Sequence, residues 1–184
     1  MTALASQGQL RASILRWSLF TVPACVLLGF LSGRLAGSGP GNPWFNALEK
    51  PGIFPDPMWF GIVWTILYIM MGFALALVCA AWGARGRTAA IVAFIVQFAL
   101  NLSWTPAFFA FHQMTAALGI IAALALALLV TIVLFWRVRK LAGALLLPYL
   151  AWVCFATVLN YEFLRLNPEL DGADTPAPVE RVAI

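Results

Sequence analysis

Gln97, Asn101 and Trp104 stand at i, i+4 and i+7 in the apolar run QFALNLSWTPAFF, so a helix puts them on one face. Tyr149, Trp152, Ala156 and Asn160 repeat that pattern at i, i+3, i+7 and i+11, and Trp64 and Tyr68 make a shorter stripe at i, i+4. Polar groups inside apolar helices are costly without partners, so the three stripes should turn toward one another and away from lipid. Two kinds of chemistry suit them. The amides can bond across helices as structural glue, typically worth about 0.6–2 kcal/mol per bond. Alternatively, the rings can wall a pocket for a flat, largely apolar ligand whose orientation the amides fix.

A second group of residues belongs with these stripes. The stretch NPWFNALEKPGIFPDPMWFGIVWTILY runs from Asn42 to Tyr68. Pro43, Pro51, Pro55 and Pro57 predict that its first half is not regular helix. Trp44, Phe45, Ile53 and Phe54 give that half more apolar surface than a solvated loop needs. A proline-stiffened, apolar loop feeding an aromatic helix reads as a lid over an apolar pocket or as an interfacial aromatic belt. Pro106 is expected to end its helix and to free carbonyls near the pocket mouth.

Other candidates weigh less. Leu159, Tyr161 and Arg165 fit the short L-x-Y-xxx-R sterol pattern, which an interfacial tyrosine and a snorkelling arginine also satisfy. His112, the single histidine, falls in a tight turn and reads as a solvated turn residue rather than a haem-iron ligand. Glu162 can reach headgroups or pair with Arg165 at i+3. Ala89 and Ala93 form a small-xxx-small pair that suits a helix–helix dimer face. Cys25, Cys79 and Cys154 lie in three different apolar segments without a CxxC or Cys/His cluster, so they read as fillers and no metal site is expected. No Ser/His/Asp set, buried carboxylate pair or phosphate loop emerges.

The elements that must position these residues follow from composition. The chain is 63% hydrophobic and 10% charged, against about 25% charged in soluble domains. Long apolar segments imply an all-α polytopic membrane protein, because helices satisfy their backbone within each segment. A five-helix transmembrane domain over residues 14–166 is expected. Its spans are placed near 14–35, 58–82, 88–111, 114–136 and 141–164, with a lid loop at 36–57. Residues 1–13 read as a frayed tail and 167–184 as a disordered one. The fourth span, nearly all Ala, Leu, Ile and Val, reads as mostly structural and lipid-facing, and Pro148 is expected to bend the fifth. Five spans put Arg11, Arg16, Arg85, Arg87, Arg137, Arg139 and Lys140 on one side, and the other four basic residues with all seven acids on the opposite side. The positive-inside rule then places the N-terminus in the cytoplasm, and a helical bundle points to an inner membrane. The net charge of +4 resides at helix ends and gives no reason to expect a nucleic-acid partner.

Three runs together carry a resemblance. They are Trp44-Phe45 … Leu48 … Lys50-Pro51 … Pro55 … Val63-Trp64-Thr65 … Leu67-Tyr68, then Gln97 … Asn101 … Trp104-Thr105-Pro106 … Phe108-Phe109, then Pro148-Tyr149 … Trp152 … Phe155-Ala156-Thr157 … Leu159-Asn160. Over about residues 14–167 the chain resembles the tryptophan-rich sensory protein and translocator protein family, also known for the peripheral benzodiazepine receptor. The resemblance implies five helices per subunit, a homodimer and a pocket beneath the first loop. It implies a receptor or transporter for tetrapyrroles (porphyrin, haem), with sterols and benzodiazepine-type drugs as further ligands, acting as a stress- or oxygen-linked regulator. No cofactor is required; porphyrin or haem is ligand. Carried over by position, the pocket is lined by Phe45, Pro55, Trp64, Tyr68, Gln97, Asn101, Trp104, Trp152, Ala156 and Asn160. In some members tryptophans placed like Trp64 and Trp152 are linked to light- and oxygen-dependent porphyrin breakdown, so a porphyrin-degrading enzyme is one alternative. A lipid- or sterol-binding membrane protein is another. The chain departs from the family after Lys50-Pro51, where Gly52-Ile53-Phe54-Pro55-Asp56 replaces one or two tryptophans and a Pro-Pro, and at Phe45, where tyrosine is common. The lid therefore has less stacking surface and an added carboxylate.

Overall fold

A computed structural model describes residues 6–173. Five helical stretches are long and apolar enough to cross a membrane, and the described residues hold no strand. Helix α1 (Gln7–Leu35) starts earlier than the composition suggests. Ser6 and Gln9 form a reciprocal capping box, which draws residues 7–13 of the expected tail into the helix. Within the loop, α2 (Pro43–Ala47) is a short helix, which corrects the expectation that the prolines exclude one there. Pro43 sits in its first turn, where a missing N–H costs nothing, and Asn42 caps it through Phe45 N–H. Helix α3 (Pro57–Cys79) uses the same device. Its N-cap is Asp56, so the loop's extra carboxylate accepts from Met58 N–H at 2.9 Å, at the positive end of a helix dipole.

Helix α3 stops at Cys79, three residues before the expected 82, because Arg87 reaches back to the Cys79 carbonyl from Nη2 at 2.9 Å and stacks over Trp82. Helix α4 (Arg87–Phe109) follows, then α5 (Met114–Val138). The last span is two pieces, α6 (Lys140–Leu145) and α7 (Leu147–Leu166), broken beside Pro148 as expected. Pro106, by contrast, does not end α4, which continues to Phe109. Proline frees the carbonyl four residues back, here Leu102, and Ser32 Oγ of α1 donates to it at 2.8 Å. The freed group therefore ties two helices together and leaves the pocket mouth alone.

In space the spans form a ring, α1 beside α3, α3 beside α6, α6 and α7 beside α5, α5 beside α4, and α4 back to α1. Most of α5 lies outside the buried interior, as expected of a mostly lipid-facing span, but the helix also has an inward side. Ala117, Ile121, Leu124, Leu128 and Phe135 form a buried stripe along α5 toward α4 and α7. An all-apolar segment hides such a stripe, because its lipid face has the same chemistry. The α1–α3 seam depends on two glycines. A Cβ on Gly72 would stand 2.5 Å from Val22 Cα, and one on Gly29 would stand 2.2 Å from the Tyr68 ring. That closeness lets Thr21 Oγ1 donate to the Gly72 carbonyl at 2.7 Å. Close backbone approach of this kind supplies the packing that holds membrane helices together.

The expected C-terminal tail is also corrected in part. Residues 168–170 form a 3-10 turn, and Gly172 N–H donates to the His112 carbonyl at 2.8 Å. Residues 174–184 of that tail lie outside the described residues.

Candidate functional site

The stripes do meet inside the ring. The deepest layer is a polar chain between two tyrosines. Tyr68 Oη donates to Asn101 Oδ1 at 3.1 Å, and Asn101 Nδ2 donates to Tyr149 Oη at 2.9 Å. Above it lie the tryptophans. Trp64 stacks on Tyr68 at 5.3 Å, its edge meets Trp152 at 6.5 Å, and Trp104 stacks on Phe108 at 5.4 Å. Trp104 Nε1 donates to Asn160 Oδ1 at 3.0 Å, while Asn160 Nδ2 donates to the Met114 carbonyl at 3.0 Å. The amides of Asn101 and Asn160 are thus occupied by the protein itself. Gln97 is different. It is fully buried, and neither end of its amide has a partner among the described residues; the Trp152 indole N–H is likewise unpaired.

Between these layers a cavity of about 10 Å³ is lined by Trp64, Asn101, Trp104, Ile121, Leu124, Val153 and Ala156. Four of these were expected from the stripes. Ile121 and Leu124 come from the apolar α5, where no polar residue flags a face, and Val153 is hidden beside Trp152 for the same reason. The cavity is closed from the loop side by a layer of rings. Phe45 meets Phe109 at 5.2 Å and Phe163 at 5.6 Å, and Phe60 meets Trp152 at 5.8 Å. Pro55 is half-buried in the loop and does not line the cavity. A separate groove of about 450 Å³ lies on the outer side of α3 and α7, lined by Val63, Ile66, Met70, Pro148, Trp152 and Phe155 among others. Trp152 lines this groove and not the interior cavity, which it reaches only through its contact with Trp64.

The other candidates are spread out. Leu159 is buried, whereas Tyr161 is exposed and Arg165 pairs outward with Glu162 at 2.7 Å, so the sterol pattern splits across two faces of α7. Ala89 is exposed and Ala93 half-buried on α4. His112 is not simply a solvated turn residue. It takes a left-handed φ of 57° and stacks on Trp44 at 4.6 Å and 16°.

That stack belongs to a clamp on the loop that the sequence did not reveal. Trp44, 1% exposed, donates from Nε1 to the Leu170 carbonyl at 3.1 Å. Asn167 pairs with the Glu49 backbone, accepting from N–H at 2.7 Å and donating to C=O at 3.1 Å. Asn42 Nδ2 donates to the Phe109 carbonyl at 3.0 Å. The Lys50 ammonium donates to the carbonyls of Phe45 and Leu48 and sits over the Phe45 ring at 4.2 Å; partial burial lowers its pKa. Replacing Asn167 with Ala is expected to loosen residues 44–50 by roughly 1–3 kcal/mol, since two backbone groups lose a side-chain partner. Amide hydrogen exchange across this segment measures it; unchanged protection in Asn167→Ala would mean that Trp44 and Asn42 hold the loop without Asn167.

Residues 21–166 match the model of the TspO/MBR family. A "Tryptophan-rich protein TspO" of Chlorobaculum tepidum is 40% identical over 145 residues, 78% of this chain and 91% of that protein. The "Translocator protein" of Homo sapiens is 38% identical over 142 residues, 76% of this chain and 84% of that protein. "Protein CrtK" of Rhodobacter capsulatus is 36% identical over 146 residues, 79% of this chain and 89% of that protein. The matched segment holds all three stripes, the loop, the second half of α1 and the other four apolar helices: the chain is a multi-pass integral membrane protein that belongs to the TspO/MBR family.

Proposed function

We propose that this protein is a membrane receptor or transporter whose interior takes a tetrapyrrole, porphyrin or haem, between its tryptophans. The observation that carries the reading is a buried Gln97 amide, without a partner among the described residues, one helical turn beyond the cavity-lining Asn101 on the face that also carries Trp104. An amide left without partners in an apolar interior has the hydrogen-bonding capacity that a ligand's polar edge can use. The macrocycle stacks on Trp64 and Trp152, and Gln97 orients it; sterol- or benzodiazepine-type molecules are further occupants. Asn101 contributes by holding the two tyrosines beneath. A cavity of about 10 Å³ must open by hundreds of Å³ to do this, so binding is coupled to movement of the loop side. The protein works as a homodimer through the α4 face that carries Ala89 and Ala93, in an inner membrane with its N-terminus cytoplasmic, and serves as a stress- or oxygen-linked regulator.

A second reading has its own observation. The apolar groove of about 450 Å³ between α3 and α7 suits a lipid or sterol. It predicts that changes at Met70 and Phe155 matter more than a change at Trp64.

The test is a tryptophan-fluorescence titration of purified protein with protoporphyrin IX and with haem, first in the dark and then under light. Saturable quenching is expected. Trp152→Ala is expected to weaken it by roughly 1–3 kcal/mol, taking base-on-aromatic stacking as the analogue. Unchanged affinity in folded Trp152→Ala would remove that ring from the wall. A new absorbing product formed under light, lost in Trp64→Phe and Trp152→Phe, would mark the site as a porphyrin-degrading one. Quenching that never saturates would turn the reading to lipids and sterols.

A further inference from the structure

The roof over the cavity is held unevenly. Residues 42–49 are clamped by Asn42, Trp44 and Asn167 to the ends of α4 and α7. Residues 51–55, among the described hydrogen bonds, have one, from Phe54 N–H to the Pro51 carbonyl at 2.9 Å. Gly52 has nothing within 4 Å of where a Cβ would stand. Pro51 is buried and anchors the start of this segment, Pro55 is half-buried, and the one ring that holds the part between them is Phe54. Phe54 stacks on Phe60 at 5.4 Å and 30°, and meets Phe163 at 5.6 Å and Phe45 at 5.9 Å. From Phe60 the rings continue through Trp152 to Trp64, which lines the cavity.

We propose that Phe54 is a plug on a hinged segment bounded by Lys50 and Asp56, and that its withdrawal is the step that admits a ligand to the interior. The inference rests on the reading of the interior as a ligand site and adds how that site is gated. The two ends of the segment are fixed, Lys50 by its bonds to the carbonyls of Phe45 and Leu48 and Asp56 by its cap on α3. Past the buried Pro51, only residues 52–55 can swing without breaking the clamp. Phe54 is half-buried, so withdrawing it forfeits part of one ring's apolar burial and one backbone bond at most. A plug competes with the ligand for the mouth, so apparent affinity scales with the fraction of molecules in which it is withdrawn. A wall residue does the opposite, because removing it removes ligand contact. The two roles therefore give effects of opposite sign.

The experiment uses the full chain in lipid nanodiscs, with Cys25, Cys79 and Cys154 replaced by Ala and a reporter thiol introduced by Ala156→Cys in the cavity wall. Labelling by a water-soluble methanethiosulfonate reports access without any ligand. Phe54→Ala is expected to raise the labelling rate about tenfold, with Phe54→Leu in between and Ile53→Ala, a neighbour exposed at 48%, unchanged. Equal rates across the three would overturn the plug, and Phe54→Leu reads the same sign should the Ala variant not fold. In stopped-flow quenching by protoporphyrin IX, Phe54→Ala is expected to speed association about tenfold and leave dissociation unchanged. Faster dissociation with unchanged association would assign Phe54 to the wall instead. If protoporphyrin IX binds neither protein, the ligand reading fails while the thiol labelling still decides the plug.

Discussion

Gly29→Ala is expected to destabilise the bundle by roughly 1–3 kcal/mol, the range for overpacking a tight contact, and to lower ligand affinity with it. The added Cβ would sit 2.2 Å from two carbons of the Tyr68 ring, closer than any real contact. Either α1 moves away from α3 or the ring turns. Both responses are costly. Moving α1 stretches the Thr21–Gly72 bond, since a few tenths of an ångström are all a 2.7 Å bond can lose without weakening. Turning Tyr68 breaks its bond to Asn101 and disturbs the stack with Trp64, which lines the cavity. Thermal unfolding in detergent, followed by tryptophan fluorescence, measures the effect. Gly61→Ala is the control, because a Cβ there meets nothing within 4 Å. Equal unfolding temperatures for the two variants would show that the seam has slack and that Tyr68 is not positioned by Gly29.

The number of spans and the faces that meet were legible because membrane helices mark their inward sides with polar and aromatic residues. Gln97, Asn101 and Trp104 announce one such side, and Trp64 with Tyr68 another. Span ends were less legible, because caps decide them. Ser6 extended α1, and Arg87 closed α3 from the next helix. The buried face of α5 was not legible at all, because lipid and protein interior favour the same residues. The clamp on the loop was invisible for a further reason. Trp44 to Leu170 and Glu49 to Asn167 span 126 and 118 residues, and no local pattern encodes a bond between a loop and a distant helix end. Asn167 looked like the start of a tail because its partners are backbone groups, which every sequence has.

Asn101 decides between the two readings with which the three stripes began, and the decision can be measured. Its amide joins Tyr68 and Tyr149, both buried, so Asn101→Leu leaves two hydroxyl groups without their partner in an apolar interior. At about 1–3 kcal/mol for each orphaned group, the single variant is expected to lose roughly 2–6 kcal/mol of stability. Replacing all partners by apolar groups of similar shape is close to neutral in general. The triple variant Tyr68→Phe, Asn101→Leu, Tyr149→Phe is therefore expected to regain most of that loss, and a failure to do so would mean that the chain of three is more than a mutual satisfaction of polar groups. Protoporphyrin IX binding by the triple variant then separates the roles. Affinity within about twofold of wild type, well under one tenfold step of 1.4 kcal/mol, would make Asn101 structural, holding Tyr68 and Tyr149 in place and leaving the ligand to the Gln97 amide. Lost affinity in a triple variant with restored stability would mean that the amide leaves its tyrosines when the cavity opens and turns to the ligand. The present bonds argue for the first outcome, since both ends of the Asn101 amide are engaged and neither end of the Gln97 amide has a partner among the described residues.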